Sequence, residues 1–318
     1  MIKVRNLKKS FANITAVNGV SFTVEKGEVL GLLGPNGAGK STTMRIITGF
    51  IPPSAGEVWV GEFNMLENPI PAKRLIGYLP ENAPSYGDMS VLGFLQFAAE
   101  LRGLRGAART RAIDRVVEMC FLGSVLHQSV ETLSKGYRHR TCFAQSIIHD
   151  PQILILDEPT DGLDPNQKHE VRTLIRNMGQ EKAIIFSTHI LEEVDAVCSR
   201  AMIIDRGQIV ANGTPDELKR RSDNAGAVTI RLSKGERGTV IDELKRLANV
   251  ERCVVVSESP LTVCVHSRAN GGGKLAAAIG ELALTRRWQV EELHTEEGRL
   301  DEVFRSITLP ETHQTENT

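Results

Sequence analysis

The sequence predicts an α/β protein with a mixed-sheet core, a helical insertion within it, and a small C-terminal α+β domain. Three observations carry this. The aliphatic runs Val29–Leu33, Ile153–Leu156 and Ala183–Phe186 are short enough to be buried parallel strands. Residues from about 86 to 149 are rich in helix formers and lack strand-like runs. After the segment Ser222-Asp223-Asn224-Ala225-Gly226, strand-like and helix-like stretches alternate at shorter spacing. With 318 residues the chain exceeds the ~100–200 typical of one domain, so two domains are expected.

Taken in order, residues 1–33 alternate short β-like runs with turn signals, and Val29–Leu33 ends at Gly34 as a strand entering a glycine loop would. From Gly39 to Thr48 the apolar positions Met44, Ile46 and Ile47 suit a helix, closed by Gly49 and the breaker pair Pro52-Pro53. Thr214-Pro215-Asp216-Glu217 puts a capping hydroxyl, a first-turn proline and two acids where a helix should begin, ending near Arg221. The expected organisation is therefore 1–221 for the first domain and 226–309 for the second, with 310–318 a polar tail lacking apolar residues to offset ordering entropy. Within the second domain strands are expected near 227–232, 252–256, 261–266 and 289–294, with helices near 238–248 and 274–286, a ferredoxin-like order. A closing helix is expected over 298–307.

Composition narrows the partners. Lys plus Arg number 38 against 39 Asp plus Glu, a formal charge of -1, so no nucleic-acid partner is expected. The five cysteines are odd in number, widely spaced and free of any Cys-x-x-Cys pair, which reads as small buried hydrophobes in a reducing compartment. Charges break every apolar stretch of Met1–Lys9 before a signal-peptide core forms, and no window reaches the ~18 apolar residues of a bilayer span. Work at a membrane would have to pass through another polypeptide.

The chemistry-bearing strings follow. Gly34-Pro35-Asn36-Gly37-Ala38-Gly39-Lys40-Ser41 matches the phosphate-loop pattern, in which glycines let successive backbone N–H groups curl round the phosphates. Lys40 would reach the β- and γ-phosphates, and Ser41, followed by Thr42, would place its hydroxyl on Mg²⁺. Such a string arises in roughly one ordinary chain in a hundred by composition alone. The preceding strand and following helix make it a binding reading. Ile153–Leu156 then delivers Asp157 and Glu158 at a strand end, where ligands of open α/β sheets collect. Because side chains alternate along a strand, Asp157 is assigned to the Mg²⁺ shell and Glu158 to the attacking water.

Leu133-Ser134-Lys135-Gly136-Tyr137, with Arg140 downstream and ahead of the acidic strand, resembles the signature of ABC-type ATPases. Lys135 and Tyr137 depart from the commonest residues; Ser134 and Gly136 match. The resemblance covers roughly residues 1–220 and implies a P-loop NTPase cassette that binds ATP and Mg²⁺. In that family the signature of one copy closes on the γ-phosphate held by another, so a head-to-tail homodimer is implied. Thr160-Asp161-Gly162-Leu163-Asp164 resembles the family's D-loop with Asp164 at its aspartate position, His189 matches the switch histidine, and Phe11 the aromatic on which adenine stacks. Glu81, in Ile76-Gly77-Tyr78-Leu79-Pro80-Glu81, stands where the family usually has glutamine, a departure that puts a carboxylate near the metal.

The resemblance implies an ATPase that drives separate transmembrane permease subunits from the cytoplasmic face. The closing Leu300-Asp301-Glu302-Val303-Phe304 is similar to the accessory domain of ABC-2-type exporters of the gliding-motility and multidrug branches, which favours export. That domain reads equally as an enlarged dimer interface or as a regulatory element. The competing reading is a soluble ABC-type ATPase gripping a ribonucleoprotein or protein partner; a single cassette and near-neutral charge count against it.

Overall fold

A computed structural model describes residues 1–82, 86–234, 236–268 and 272–308. The chain divides into two compact units, Met1–Pro215 and Asp216–Thr318. The first opens with strands β1 (Ile2–Phe11), β2 (Ile14–Val24) and β3 (Val29–Leu33). Helix α1 (Lys40–Ile47) precedes β4 (Ala55–Val60), β5 (Phe63–Asn64), α2 (Pro69–Arg74) and β6 (Ile76–Leu79). Helices α3 (Val91–Leu101), α4 (Gly106–Met119) and α5 (Lys135–Ile147) form the helical stretch. The core resumes with β7 (Ile153–Asp157), α6 (Pro165–Met178), β8 (Ala183–Ser187), α7 (Leu191–Val197), β9 (Arg200–Asp205) and β10 (Gln208–Gly213).

Two sheets result. One is antiparallel, with order β2-β1-β4-β5; the other has six strands in the order β10-β9-β3-β8-β7-β6. In the second, β9, β3, β8, β7 and β6 are mutually parallel, and β10 runs antiparallel at the edge. Helix α1 joins them: Met44, Ile46 and Ile47 share one buried cluster with Val4 and Leu7 of β1, Leu30 and Leu32 of β3, and Ile155 of β7. The central strands β3, β7 and β8 are buried at every residue, which is why they read as unbroken aliphatic runs.

The second unit, which α8 (Pro215–Lys219) enters across the division, runs β11 (Val228–Lys234), α9 (Arg237–Lys245), β12 (Val250–Glu258), β13 (Leu261–Ser267), α10 (Gly272–Thr285), β14 (Gln289–Thr295) and α11 (Leu300–Thr308). Its antiparallel sheet has the order β12-β13-β11-β14, the ferredoxin-like arrangement. Val228, Ile230 and Leu232 pack there with Val240 and Leu244 of α9 and Leu275 and Ile279 of α10. The division falls earlier than the expected end at 221. Asn224 donates to Glu302 at 2.8 Å and Ser222 also bonds Glu302, so the segment after Pro215 is tied to the unit's closing helix. The expected tail over 310–318 lies outside the described residues.

The amino-terminal strands β1 and β2 are longer than the short runs expected, 10 and 11 residues, because register shifts interrupt their alternation without ending their pairing. The cysteines are free: Cys120, Cys142, Cys198 and Cys264 are buried and Cys253 half-buried, and burial pushes the Cys120 thiol up to about 12.

Candidate functional site

Parallel register gathers the motifs. Leu32 of β3 pairs with Ser187 of β8, Ser187 with Asp157 of β7, and Leu156 of β7 with Leu79 of β6. The carboxyl ends of four adjacent strands therefore finish level. The segments that leave them are Gly34–Ser41, Thr188-His189, Glu158–Asp164 and Pro80-Glu81, so strings far apart in sequence share one edge.

The loop after β3 is shaped by its glycines. Gly39 holds φ +105, and a Cβ there would lie 2.3 Å from the Ala16 carbonyl oxygen, so only glycine lets the loop turn into α1 against β2. Gly37, at φ +81, faces open space, with Asn36 exposed before it. Lys40 is buried, its ammonium donating to the Gly34 oxygen at 2.7 Å and the Pro35 oxygen at 3.2 Å. Burial depresses its pKa, against the opposing pull of Glu158, Asp157 and Glu81. A desolvated cation that three carboxylates do not fully compensate is suited to a polyanion. Glu81 itself is exposed. Thr42 is half-buried behind the loop in the first turn of α1.

Beside the loop, Ser41 Oγ donates to Asp157 Oδ1 at 3.3 Å, and Ser187 Oγ donates to the same oxygen at 2.6 Å. Asp157 is buried at the strand end. Glu158 does not follow by strand alternation as expected. Its backbone turns left-handed, φ +51, and its N–H donates to Ser187 Oγ at 3.0 Å. That turn aims the carboxylate at His189, whose Nδ1 lies 2.9 Å from Glu158 Oε2. Burial raises the Glu158 pKa, with His189 and Lys40 opposing it. A carboxylate with elevated basicity, oriented by an imidazole, is equipped to take a proton from water.

Four residues that sequence reasoning left out of the site support these. Glu193 of α7 is buried and accepts from Thr160 at 2.6 Å and Thr188 at 2.8 Å, tying the segment after Glu158 to the one carrying His189. Thr188 Oγ1 also accepts from the Ile190 N–H at 3.0 Å. Ser187 completes the set. The sequence hints were the strand-end position of Ser187-Thr188 and the place of Thr160 at the head of the string that ends at Asp164.

The segment Leu133–Tyr137 leads into α5. Ser134 caps α5, accepting from the Tyr137 N–H at 3.3 Å, and Gly136 is buried against Gln167, where a Cβ would meet Oε1 at 2.4 Å. Asp164 caps α6 by accepting from the Gln167 N–H at 3.0 Å. These elements thus meet one another within the chain. Phe11 is 48 % exposed at the end of β1, and the Lys9 ammonium lies over its ring, 5.0 Å from the centroid.

The donor set suits Mg²⁺. Ser41 and Asp157 are hard oxygen donors already in contact, and among the described residues no cluster of three or more His, Cys, Asp or Glu is arranged to hold a metal by itself. A cation completed by phosphate and water oxygens fits such a pair.

A glycine-shaped loop between strand and helix, with its serine bonded to a strand-end carboxylate, defines a P-loop nucleotide-binding cassette. The ABC transporter family profile matches residues 17–161. The linearmycin resistance ATP-binding protein LnrL of Bacillus subtilis (strain 168) is 32% identical over 310 residues, 97% of this chain and 98% of its own length. The probable multidrug ABC transporter ATP-binding protein YbhF of Escherichia coli (strain K12) is 36% identical over 225 residues, 70% of this chain, which spans only 39% of that relative's length. A solved ATP-binding subunit of an ABC transporter superposes with TM-score 0.65 at 28% identity, covering 70% of this chain and 92% of the other. The chain belongs to the ABC transporter ATP-binding protein family. Among the described residues no helix is long and apolar enough to cross a membrane.

Proposed function

We propose that the chain binds and hydrolyses ATP as a head-to-tail pair of cassettes and thereby drives separate membrane-spanning subunits, in the direction of export. The observation that carries this is the shared carboxyl edge, where the Lys40 ammonium, the Asp157–Ser41 pair and the Glu158–His189 pair meet. Likeness over nearly the full length to a relative named for linearmycin resistance supports a small-molecule exporter over a ribonucleoprotein-acting ATPase.

In this reading the loop N–H groups and Lys40 hold the nucleotide's phosphates, and Phe11 offers a face to the base. Ser41 and Asp157 would hold Mg²⁺, which when bound supplies charge neutralisation on the phosphates. Glu158, desolvated and oriented by His189, accepts a proton from the attacking water, and His189 steadies the carboxylate through that transfer. The Ser134 and Gly136 segment of a second copy closes the site from the other side. Movement is passed to the membrane partner through Glu81 and the helical segment after it. Replacing Glu81 with Gln should leave ATP binding largely intact; complete loss of affinity would defeat that coupling role.

The test is phosphate release by purified protein with Mg-ATP. Lys40→Ala should weaken nucleotide binding, whereas Glu158→Gln should retain it and slow turnover by about 10²–10⁴-fold. Near-normal turnover in Glu158→Gln would place the base elsewhere.

A further inference from the structure

The Ser134–Tyr137 and Thr160–Asp164 segments are linked within one copy through Lys135 and Asp161. Lys135 Nζ lies 2.8 Å from Asp161 Oδ2. Its stem runs across Gly162, which has φ +69, and a Cβ on that glycine would meet Lys135 Cε at 2.3 Å and Cδ at 2.5 Å. The left-handed backbone there suits glycine, and it forms a seat over which the flexible Lys135 stem is laid. Next to Lys135, Gly136 abuts Gln167 in the first turn of α6, whose N–H is held by Asp164. Asp161 in turn closes the turn that carries the proposed base, its N–H donating to the Glu158 oxygen at 3.1 Å. The Lys135 ammonium, ahead of His189 and His139, holds the Asp161 carboxyl below the usual range.

An exposed ion pair contributes little by itself, and side chains 68% and 53% exposed are no exception. Its value here is geometric. The pair and the glycine seat fix the place of the signature, which faces a neighbouring copy's nucleotide, relative to the turn bearing Glu158, which acts on the chain's own nucleotide.

We propose that Lys135 and Asp161 form a positioning latch that couples the two ATP sites of a cassette pair, transmitting engagement of the signature at one site to the Glu158 turn at the other. This rests on the pairing proposed above. Lys135 acts through Asp161, so losing either partner has the same consequence: each site still binds ATP, but occupancy of one no longer prepares the other.

The experiment measures ATP hydrolysis against ATP concentration for the parent protein, Lys135→Met, Asp161→Asn, the double variant and Lys135→Arg, with Tm recorded for each. Lys135→Met keeps the stem over Gly162 and removes only the charge. The parent should show a Hill coefficient approaching the limit of ~2 set by two sites. Both single variants should fall toward ~1, with at least about 5-fold more ATP needed for half-maximal rate. The double variant should match either single, since partners that act only through each other are non-additive. Lys135→Arg should restore cooperativity, and Tm should stay close to the parent because the pair is exposed.

If Asp161→Asn keeps the parent's cooperativity while Lys135→Met loses it, Lys135 works on something other than Asp161 and the latch is wrong. Additive losses in the double variant overturn it equally. Failure of the parent to pair with ATP, read by light scattering on Glu158→Gln, would remove the underlying pairing and the latch together, whereas pairing with unaltered Hill coefficients in all variants removes the latch alone.

Discussion

Replacing Ser187 with Ala tests whether the acidic strand end is held as described. The Ser187 hydroxyl is fully buried, donates to Asp157 Oδ1 at 2.6 Å and accepts from the Glu158 N–H at 3.0 Å. Losing a short bond to a buried carboxylate costs about 1.5–3 kcal/mol. The second loss is smaller, about 0.5 kcal/mol, because the Glu158 N–H retains the Ser187 backbone oxygen at 3.2 Å. The sum is about 2–3.5 kcal/mol, which in a unit of this size lowers Tm by about 4–14 °C. Calorimetry of the nucleotide-free protein reads this directly. Function should change as well, because Asp157 would be left with Ser41, at 3.3 Å, as its remaining hydroxyl donor. Loss of a bond that orients a metal-binding carboxylate weakens metal affinity by about 10–100-fold, so more Mg²⁺ should be needed for half-maximal phosphate release. A Tm within 1–2 °C of the parent (about 0.5 kcal/mol), together with an unchanged Mg²⁺ requirement, would show that Ser187 does not hold Asp157 in place.

Two further outcomes follow from the same site. The folded-state pKa of Glu158 is raised by burial, so its ionised form weakens the fold above that pKa and the cost disappears below the unfolded value of 4.5. Glu158→Gln should accordingly be more heat-stable than the parent at neutral pH without nucleotide, and the gap should close as pH falls toward the unfolded value. A gap that widened on acidification would have the wrong sign. Glu193→Ala would strand the buried Thr160 and Thr188 hydroxyls and remove two bonds to a carboxylate, a loss of about 3–5 kcal/mol. Glu193→Gln should recover most of it, and equal Tm values for the two variants would show that the hydroxyl contacts contribute nothing.

What could be read from the sequence was whatever leaves a literal residue requirement. Gly37 and Gly39 must be glycines because the backbone there is left-handed, and β3, β7 and β8 are aliphatic throughout because both faces are covered. The first sheet was harder. In β4 the buried Val58 and Val60 alternate with the exposed Glu57 and half-buried Trp59 over only six residues, close to the Pro52-Pro53 break, so no strand was expected there. Strands β9 and β10 were likewise unread. Glu193 gave no signal because Glu192 and Glu193 are equivalent in sequence as first-turn acids of α7, and only packing against Thr160 and Thr188 buries one of them. The Glu158 turn escaped for a related reason: alternation predicts where a strand residue points, and Glu158 has already left the strand. The Lys135–Asp161 contact joins segments 26 residues apart, beyond the reach of local pattern.

The central claim is that the phosphate loop of one copy and the signature of another build a single site. Lys40→Ala removes the first half and Ser134→Arg the second, each introduced into Glu158→Gln so that bound ATP persists. Neither variant alone should pair. Mixed, they retain one intact site, formed by Lys40 of one copy and Ser134 of the other, and should pair with one ATP retained per two chains. A mixture that pairs no more than its separate components would contradict the account.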